Sequence, residues 1–160
     1  IHVKNKNTLK IDDFNLKCCI GKNGLNYNKK EGDYSTPKGV FNLKKLYFRK
    51  DRVGSPKCKL DKKAIKQNMA WCDDPNHTKY NEEIKTSNKK LKENLWRKDH
   101  KYDYVISISH NEKKIPNKGS AIFIHLTDDY KPTAGCLALR KKDFEILLKL
   151  IDKKTKIKIS

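Results

Sequence analysis

The sequence has no apolar run approaching the length of about 18 residues that a membrane-spanning helix requires. Its first residues, IHVKNKNTLK, contain no apolar core of the signal-peptide kind, so no signal peptide is expected within the residues given. Arginine is scarce: there are 4 against 34 lysines, in a 160-residue chain of net charge +19. Readers of nucleic-acid sequence rely on arginine for bidentate contacts to guanine and for stacking, so no specific nucleic-acid partner is expected. Glycine and proline total only 12 residues, and the apolar residues come in short runs. General disorder is therefore not expected, despite a mean hydropathy of −0.92. Cys-x-x-Cys pairs are absent, and the cysteines (Cys18, Cys19, Cys58, Cys72 and Cys136) are odd in number. That argues against a metal site and leaves at least one thiol unpaired in an oxidising compartment. No cofactor is expected.

What is present fits one domain, residues 1–160, of mainly β structure. Lys, Asn and Ile supply 62 of the 160 residues, the bias of an AT-rich coding sequence, and the lysines read first as a solvated surface. Attraction to an anionic polymer is the lesser reading. Strand-like runs cover residues 16–20, 40–48, 104–110, 121–126, 136–139 and 156–159, separated by turn-forming residues. Residues 50–100 are lysine-rich and weakly periodic, and read as long loops anchored by Trp71, Tyr80 and Trp96. One short helix is expected there, near Ser87 to Arg97. Phe144, Leu147, Leu148 and Ile151 recur at i, i+3, i+4, i+7, which predicts a helix near the C-terminus with Asp143 as its N-cap.

The sharpest chemical signal lies in residues 119–140. His125 comes near the end of one apolar strand, and Cys136 opens the next, eleven residues later. If the strands are neighbours, imidazole and thiol meet at their ends. A thiol becomes a good nucleophile at neutral pH once an imidazole takes its proton, so this pair is the minimum unit of thiol acyl transfer. The small residues before it, Ala134 and Gly135, let backbone N–H groups approach a developing oxyanion. Spacing alone leaves the bland alternative open: a buried strand cysteine and a satisfied core histidine.

Several segments in order resemble the YkuD-type L,D-transpeptidases: GDYSTPKGVF (32–41), YFRKDR (47–52), WCDDP (71–75), YN (80–81), WRKD (96–99), YD (102–103), HN (110–111), GSAIFIH (119–125) and PTAGC (132–136). The resemblance spans nearly the whole chain and is most specific to one proteobacterial subgroup. Two positions depart from the family pattern. Ala134 stands where most members have a second histidine, and Ala138 where they have Arg or Asn. The His-to-Cys loop is also short for the family.

The resemblance implies a β-sandwich-like catalytic domain, monomeric, in the periplasm or cell envelope, acting on peptidoglycan stem peptides. It implies Cys136 as nucleophile, His125 as base oriented by the Leu126 carbonyl, and the Gly135 and Cys136 N–H groups as oxyanion donors. Transfer of the thioester to an amine would form a cross-link; transfer to water would make the chain an L,D-carboxypeptidase. A non-catalytic basic module that binds a polyanion is the reading from another class. His110, Thr133, Arg97 and Trp71 are further candidates for the pocket. His110 is expected to line it with His125, in the space that the missing histidine leaves. Arg49 and Arg52 are weighed as carboxylate binders and read more readily as structural ion pairs. Cys72 reads as a buried apolar residue, Asp73 and Asp74 as turn-formers, and His77 and His100 as exposed.

Overall fold

The computed structural model of the chain describes residues 1–4, 7–87 and 92–160. Mainly β structure is found, as expected. Alternation of apolar and polar residues builds the first half: β1 (His2–Lys4), β2 (Thr8–Ile11) and β3 (Phe14–Cys19) turn Val3, Leu9 and Leu16 inward and their lysines outward. Next come β4 (Leu25–Asn26), β5 (Thr36–Pro37), the ten-residue β6 (Gly39–Phe48), the one-turn α1 (Lys50–Val53) and β7 (Asp61–Ala64). A small sheet follows from β8 (Met69–Cys72), β9 (Glu83–Lys85) and β10 (Lys92–Asn94), in the order β10-β8-β9. The chain ends with β11 (Tyr104–Ile108), β12 (Phe123–Leu126), β13 (Leu137–Leu139), α2 (Lys141–Leu150) and β14 (Lys156–Ile159).

The main sheet runs β11-β12-β13-β3-β2-β1-β14-β6-β7, and β6 also pairs with β11. β6 permits this closure because its first residues, Gly39–Asn42, pair with β14 and its later ones, Leu43–Phe48, with β11. The enclosed core takes Val3, Leu9, Leu16 and Ile157 from one side and Ile106, Ile124 and Leu137 from the other. α2 adds Phe144 and Leu147, with Phe144 stacked on Tyr104 at 5.5 Å.

β11 and β12 are buried on both faces. Their second face (Val105, Phe123) packs with Met69, Leu95 and Tyr102 into a second apolar cluster beneath the small sheet. Cys136 belongs to that outer layer, not to the main core.

The middle of the chain is more regular than its composition suggests. The expected helix near Ser87–Arg97 is replaced, where described, by strand β10; residues 88–91 lie outside the described residues. β10 has no strong strand-former, and its backbone pairing to β8 decides its state. The C-terminal helix is where its periodicity puts it, but its N-cap is Arg140. Asp143 lies in its first turn, where a carboxylate still favours the helix dipole.

Candidate active site

β12 and β13 are neighbours but run parallel, with Ile124 opposite Leu137 and His125 opposite Ala138. A parallel pair cannot close by a tight turn; residues 127–136 cross over instead. Carried one residue back from the start of β13, this register sets Cys136 opposite Phe123, with which it shares the outer apolar layer, and so diagonal to His125 on one face of the sheet. Both line a cleft of about 420 Å³, with Tyr102, Ser120, Lys29 and Arg97 also on its walls.

The His125 tautomer is set by its surroundings. Nδ1 lies 2.8 Å from the Leu126 carbonyl oxygen and must carry the proton to donate there, which leaves Nε2 as the acceptor. The ring packs edge-on against Tyr102 at 5.3 Å. Tyr102 donates its hydroxyl to Glu93 (2.8 Å), and the Arg97 guanidinium lies 5.0 Å from its ring centre. Burial, aided by Lys101 and Arg97, lowers the His125 pKa to about 4 against the pull of the Leu126 carbonyl.

Cys136 is in the neutral form. Its Sγ–H donates to the Ala121 carbonyl (3.2 Å), and Sγ accepts the Phe123 N–H (3.3 Å). Burial pushes the thiol up to about 12, opposed by the Phe123 N–H and Lys29. A thiolate cannot donate to Ala121, so that contact favours the resting thiol. Ala121 itself has φ +51, a left-handed conformation that costs an alanine roughly 1–2 kcal/mol. Asn81 supports it by accepting the Ala121 N–H at 3.1 Å.

The turn before the cysteine is held from two sides. Thr133 donates its hydroxyl to the Cys136 carbonyl (2.6 Å) and accepts the Gly135 N–H (3.1 Å). The Gly135 N–H is thus already engaged, and of the two expected oxyanion donors only Cys136 is left without that tie. Gly135 has φ +146, and a Cβ there would come within 2.8 Å of the Ser35 carbonyl. The 33–36 segment is fixed in turn by Asp33, which accepts from Lys29 Nζ (2.5 Å), the Lys30 and Ser35 N–H groups and the Ser35 hydroxyl. These bonds hold the Asp33 carboxyl well below the usual range, against its partial burial.

Of the residues singled out from sequence, Cys136, His125, Leu126, Gly135, Thr133 and Arg97 line the cleft. His110 and Trp71 do not: they line a second cavity of about 460 Å³. The strand ends at Ile108, so alternation no longer governs His110, and its Nε2 lies 2.9 Å from the Lys118 carbonyl oxygen. The idea that His110 fills the space of a missing histidine is therefore not supported. Trp71 packs edge-on against Phe123 at 5.1 Å.

Both residues reach the site indirectly, through Asn81. Its side chain accepts from Trp71 Nε1 (2.9 Å) and the Ala121 N–H, and donates to the His110 carbonyl (3.0 Å). Arg49 stacks on Trp96 and pairs with Asp51, while Arg52 pairs with Asp103. Arg97 is committed to Asp99 and Glu93. No cluster of metal-ligating side chains occurs among the described residues. Sequence reasoning missed Lys29, Tyr102, Glu93 and Asn81. Tyr102 and Asn81 fall inside segments that carry the family resemblance; nothing marks Lys29 among 34 lysines.

The model of the L,D-transpeptidase catalytic domain family (YkuD) matches residues 3–159. The chain belongs to this family. The family is one of L,D-transpeptidase catalytic domains, a type that acts on the peptidoglycan of the cell envelope. No helix among the described residues is long and apolar enough to cross a membrane. No curated protein sequence matches the chain. Among solved structures it is similar to Bdellovibrio bacteriovorus Bd1075 at 14% identity and a TM-score of 0.46, covering 92% of this chain and 38% of that one.

Proposed function

We propose that this YkuD domain is a cysteine acyltransferase that cross-links peptidoglycan stem peptides through a thioester on Cys136. The observation that supports this most directly is the shared face: Cys136 and His125 are diagonal neighbours in one cleft, with the free Nε2 of His125 as a proton acceptor.

The substrate carbonyl enters above Sγ and draws the thiol off Ala121. Nε2 of His125 takes the thiol proton as sulfur attacks the carbonyl on the L-centre of the donor's diamino acid. The oxyanion is held by the Cys136 N–H; one such donor is worth about 3 kcal/mol in other enzymes. Collapse breaks the C–N bond, and His125 returns the proton to the departing D-residue's amine. An acceptor amine then attacks the thioester, gives up its proton to His125, and regenerates the thiol. Because both partners rest neutral, His125 works as a general base in the transition state and does not hold a preformed thiolate.

Intact-mass measurement with defined muropeptides tests the proposal. The wild type should gain the mass of the donor acyl group on Cys136, and adding an acceptor amine should convert it to a cross-linked dimer. Trimmed stems without dimers would make the chain a carboxypeptidase. Absence of any Cys136 adduct would remove the enzymatic reading and favour the polyanion-binding one.

A further inference from the structure

The five strands β3, β2, β1, β14 and β6 present an outer face on the side of the barrel away from the cleft. Their inward residues (Leu16, Leu9, Val3, Ile157) enter the main core, whereas Cys136 lies in the layer outside the opposite wall. None of the five strands contains an Asp or a Glu. Across them runs one register row: Asn15, Lys10, His2, Lys158 and Val40. Lys4 lies two residues along β1 from His2, and Lys156 two residues along β14 from Lys158, on the other side of the row. At standard strand spacings the four lysines span roughly 10 by 13 Å. All four are exposed. Among the described residues no ion pair engages them, although other lysines across the surface are paired. The nearest acids in sequence, Asp12 and Asp13, occupy the β2–β3 turn, two residues along the strands from Lys10 and Asn15, and so flank only that end of the row.

We propose that this face is a docking surface for a lipid bilayer with anionic headgroups, which leaves the Cys136 cleft directed away from that bilayer. The shape and chemistry favour a membrane over a nucleic-acid duplex. The face is the convex outside of a closed sheet, so a planar surface meets its central strands, β2, β1 and β14, where the four lysines lie. A duplex is itself convex and would touch little of it. The face also carries no arginine: the four arginines are at 49, 52, 97 and 140. Headgroup phosphates accept a point charge from lysine without bidentate geometry. Val40, 61% exposed at the end of the row, adds an apolar contact of the kind an interfacial layer accepts. The field of the patch also registers on His2, whose pKa is lowered by burial and by Lys4 and Lys158.

Co-sedimentation of the 160-residue chain with phosphatidylcholine vesicles, with and without about 30% phosphatidylglycerol, tests this at low and high salt. Binding should require the anionic lipid and be lost in high salt. The combined variant Lys10→Gln, Lys156→Gln, Lys158→Gln should lower partitioning about a hundredfold, since each lysine near an anionic surface contributes a factor of about five. The control, Lys113→Gln, Lys141→Gln, Lys142→Gln, removes the same net charge from other exposed sites and should lower it far less. Acetylation of the wild type needs no variant to fold: Lys4, Lys10, Lys156 and Lys158 should be protected by anionic vesicles, and Lys141 and Lys142 should not. Equal binding to neutral vesicles, no binding, an equal loss in the control, or no protection would each overturn the proposal. So would tighter binding to duplex DNA through the same four lysines.

Discussion

The Thr36 hydroxyl donates to the Gly135 carbonyl across 2.8 Å, joining two segments 99 residues apart in the chain. The same oxygen accepts the Gly21 N–H at 2.8 Å, and the side chain is fully buried. Thr36 therefore ties β5, Gly21 two residues past β3, and the turn before Cys136 into one unit. Exchange for valine keeps the shape and strands both partners. Each stranded buried group costs about 1–3 kcal/mol. For a chain of this size, 1 kcal/mol moves Tm by about 2–4 °C. Thr36→Val should therefore lower Tm by about 4–24 °C, measured by calorimetry. An unchanged Tm would show that water replaces the hydroxyl.

Gly135 permits a closer test of the same turn. Its φ of +146 and the 2.8 Å approach of the Ser35 carbonyl to a Cβ position leave no room for a methyl group. Strained backbone of this sort costs about 1–3 kcal/mol, and relief requires the turn to move Cys136. Gly135→Ala should lose the acyl adduct by far more than Gly32→Ala, where the glycine also has positive φ (+69) but a Cβ would meet nothing within 4 Å. Intact-mass time courses for the two variants make the comparison. Equal rates would show that the turn tolerates the displacement.

How much of this was legible from sequence follows from what fixes each element. The runs that became β12 and β13 are apolar because both faces are covered, and their residues declare it. Phe144, Leu147 and Leu148 likewise mark the buried stripe of α2. The small sheet was not legible: β10 is Lys-Glu-Asn, and only its backbone pairing with β8 makes it a strand. Cys136 and His125 stood out because the chain has few cysteines and histidines. Lys29 did not, because its burial depends on Asp33 and on the packing of Gly119 and Gly135 against its methylenes. His110 was misplaced because strand alternation was extended past Ile108, where the strand stops.

Acid should weaken the fold through His125. Its folded pKa of about 4 lies below the unfolded value of 6.5, so the unfolded chain binds the extra proton first as pH falls. Stability is then unaffected above about pH 7 and declines between pH 6.5 and 4, by about 3 kcal/mol over the window. His110, lowered chiefly by burial, contributes with the same sign. Denaturant melts of wild type and His125→Gln, taken at pH 7 and at pH 4.5, check this. The variant should lose markedly less stability than the wild type between the two values. Parallel losses would mean that His125 is protonated in the folded state.

The resting protonation of the thiol is the last expectation, and it separates two ways of using one cysteine and one histidine. A preformed thiolate–imidazolium pair would alkylate rapidly at neutral pH, on a plateau set by a low thiol pKa. The Cys136 thiol instead lies near 12, donates to Ala121, and faces an imidazole near 4. Its reaction with iodoacetamide, followed by peptide mapping, should rise about tenfold per pH unit from pH 7 to pH 10 without a plateau, because only the thiolate fraction reacts. His125→Ala should leave that rate nearly unchanged at pH 9, since the imidazole does not generate the resting thiolate. The same variant should slow acyl-adduct formation from a stem peptide by about 10²–10⁴-fold, the usual loss for a positioned base. A plateau at or below pH 7, abolished by His125→Ala, would establish the ion pair and overturn the general-base assignment while leaving Cys136 as the nucleophile.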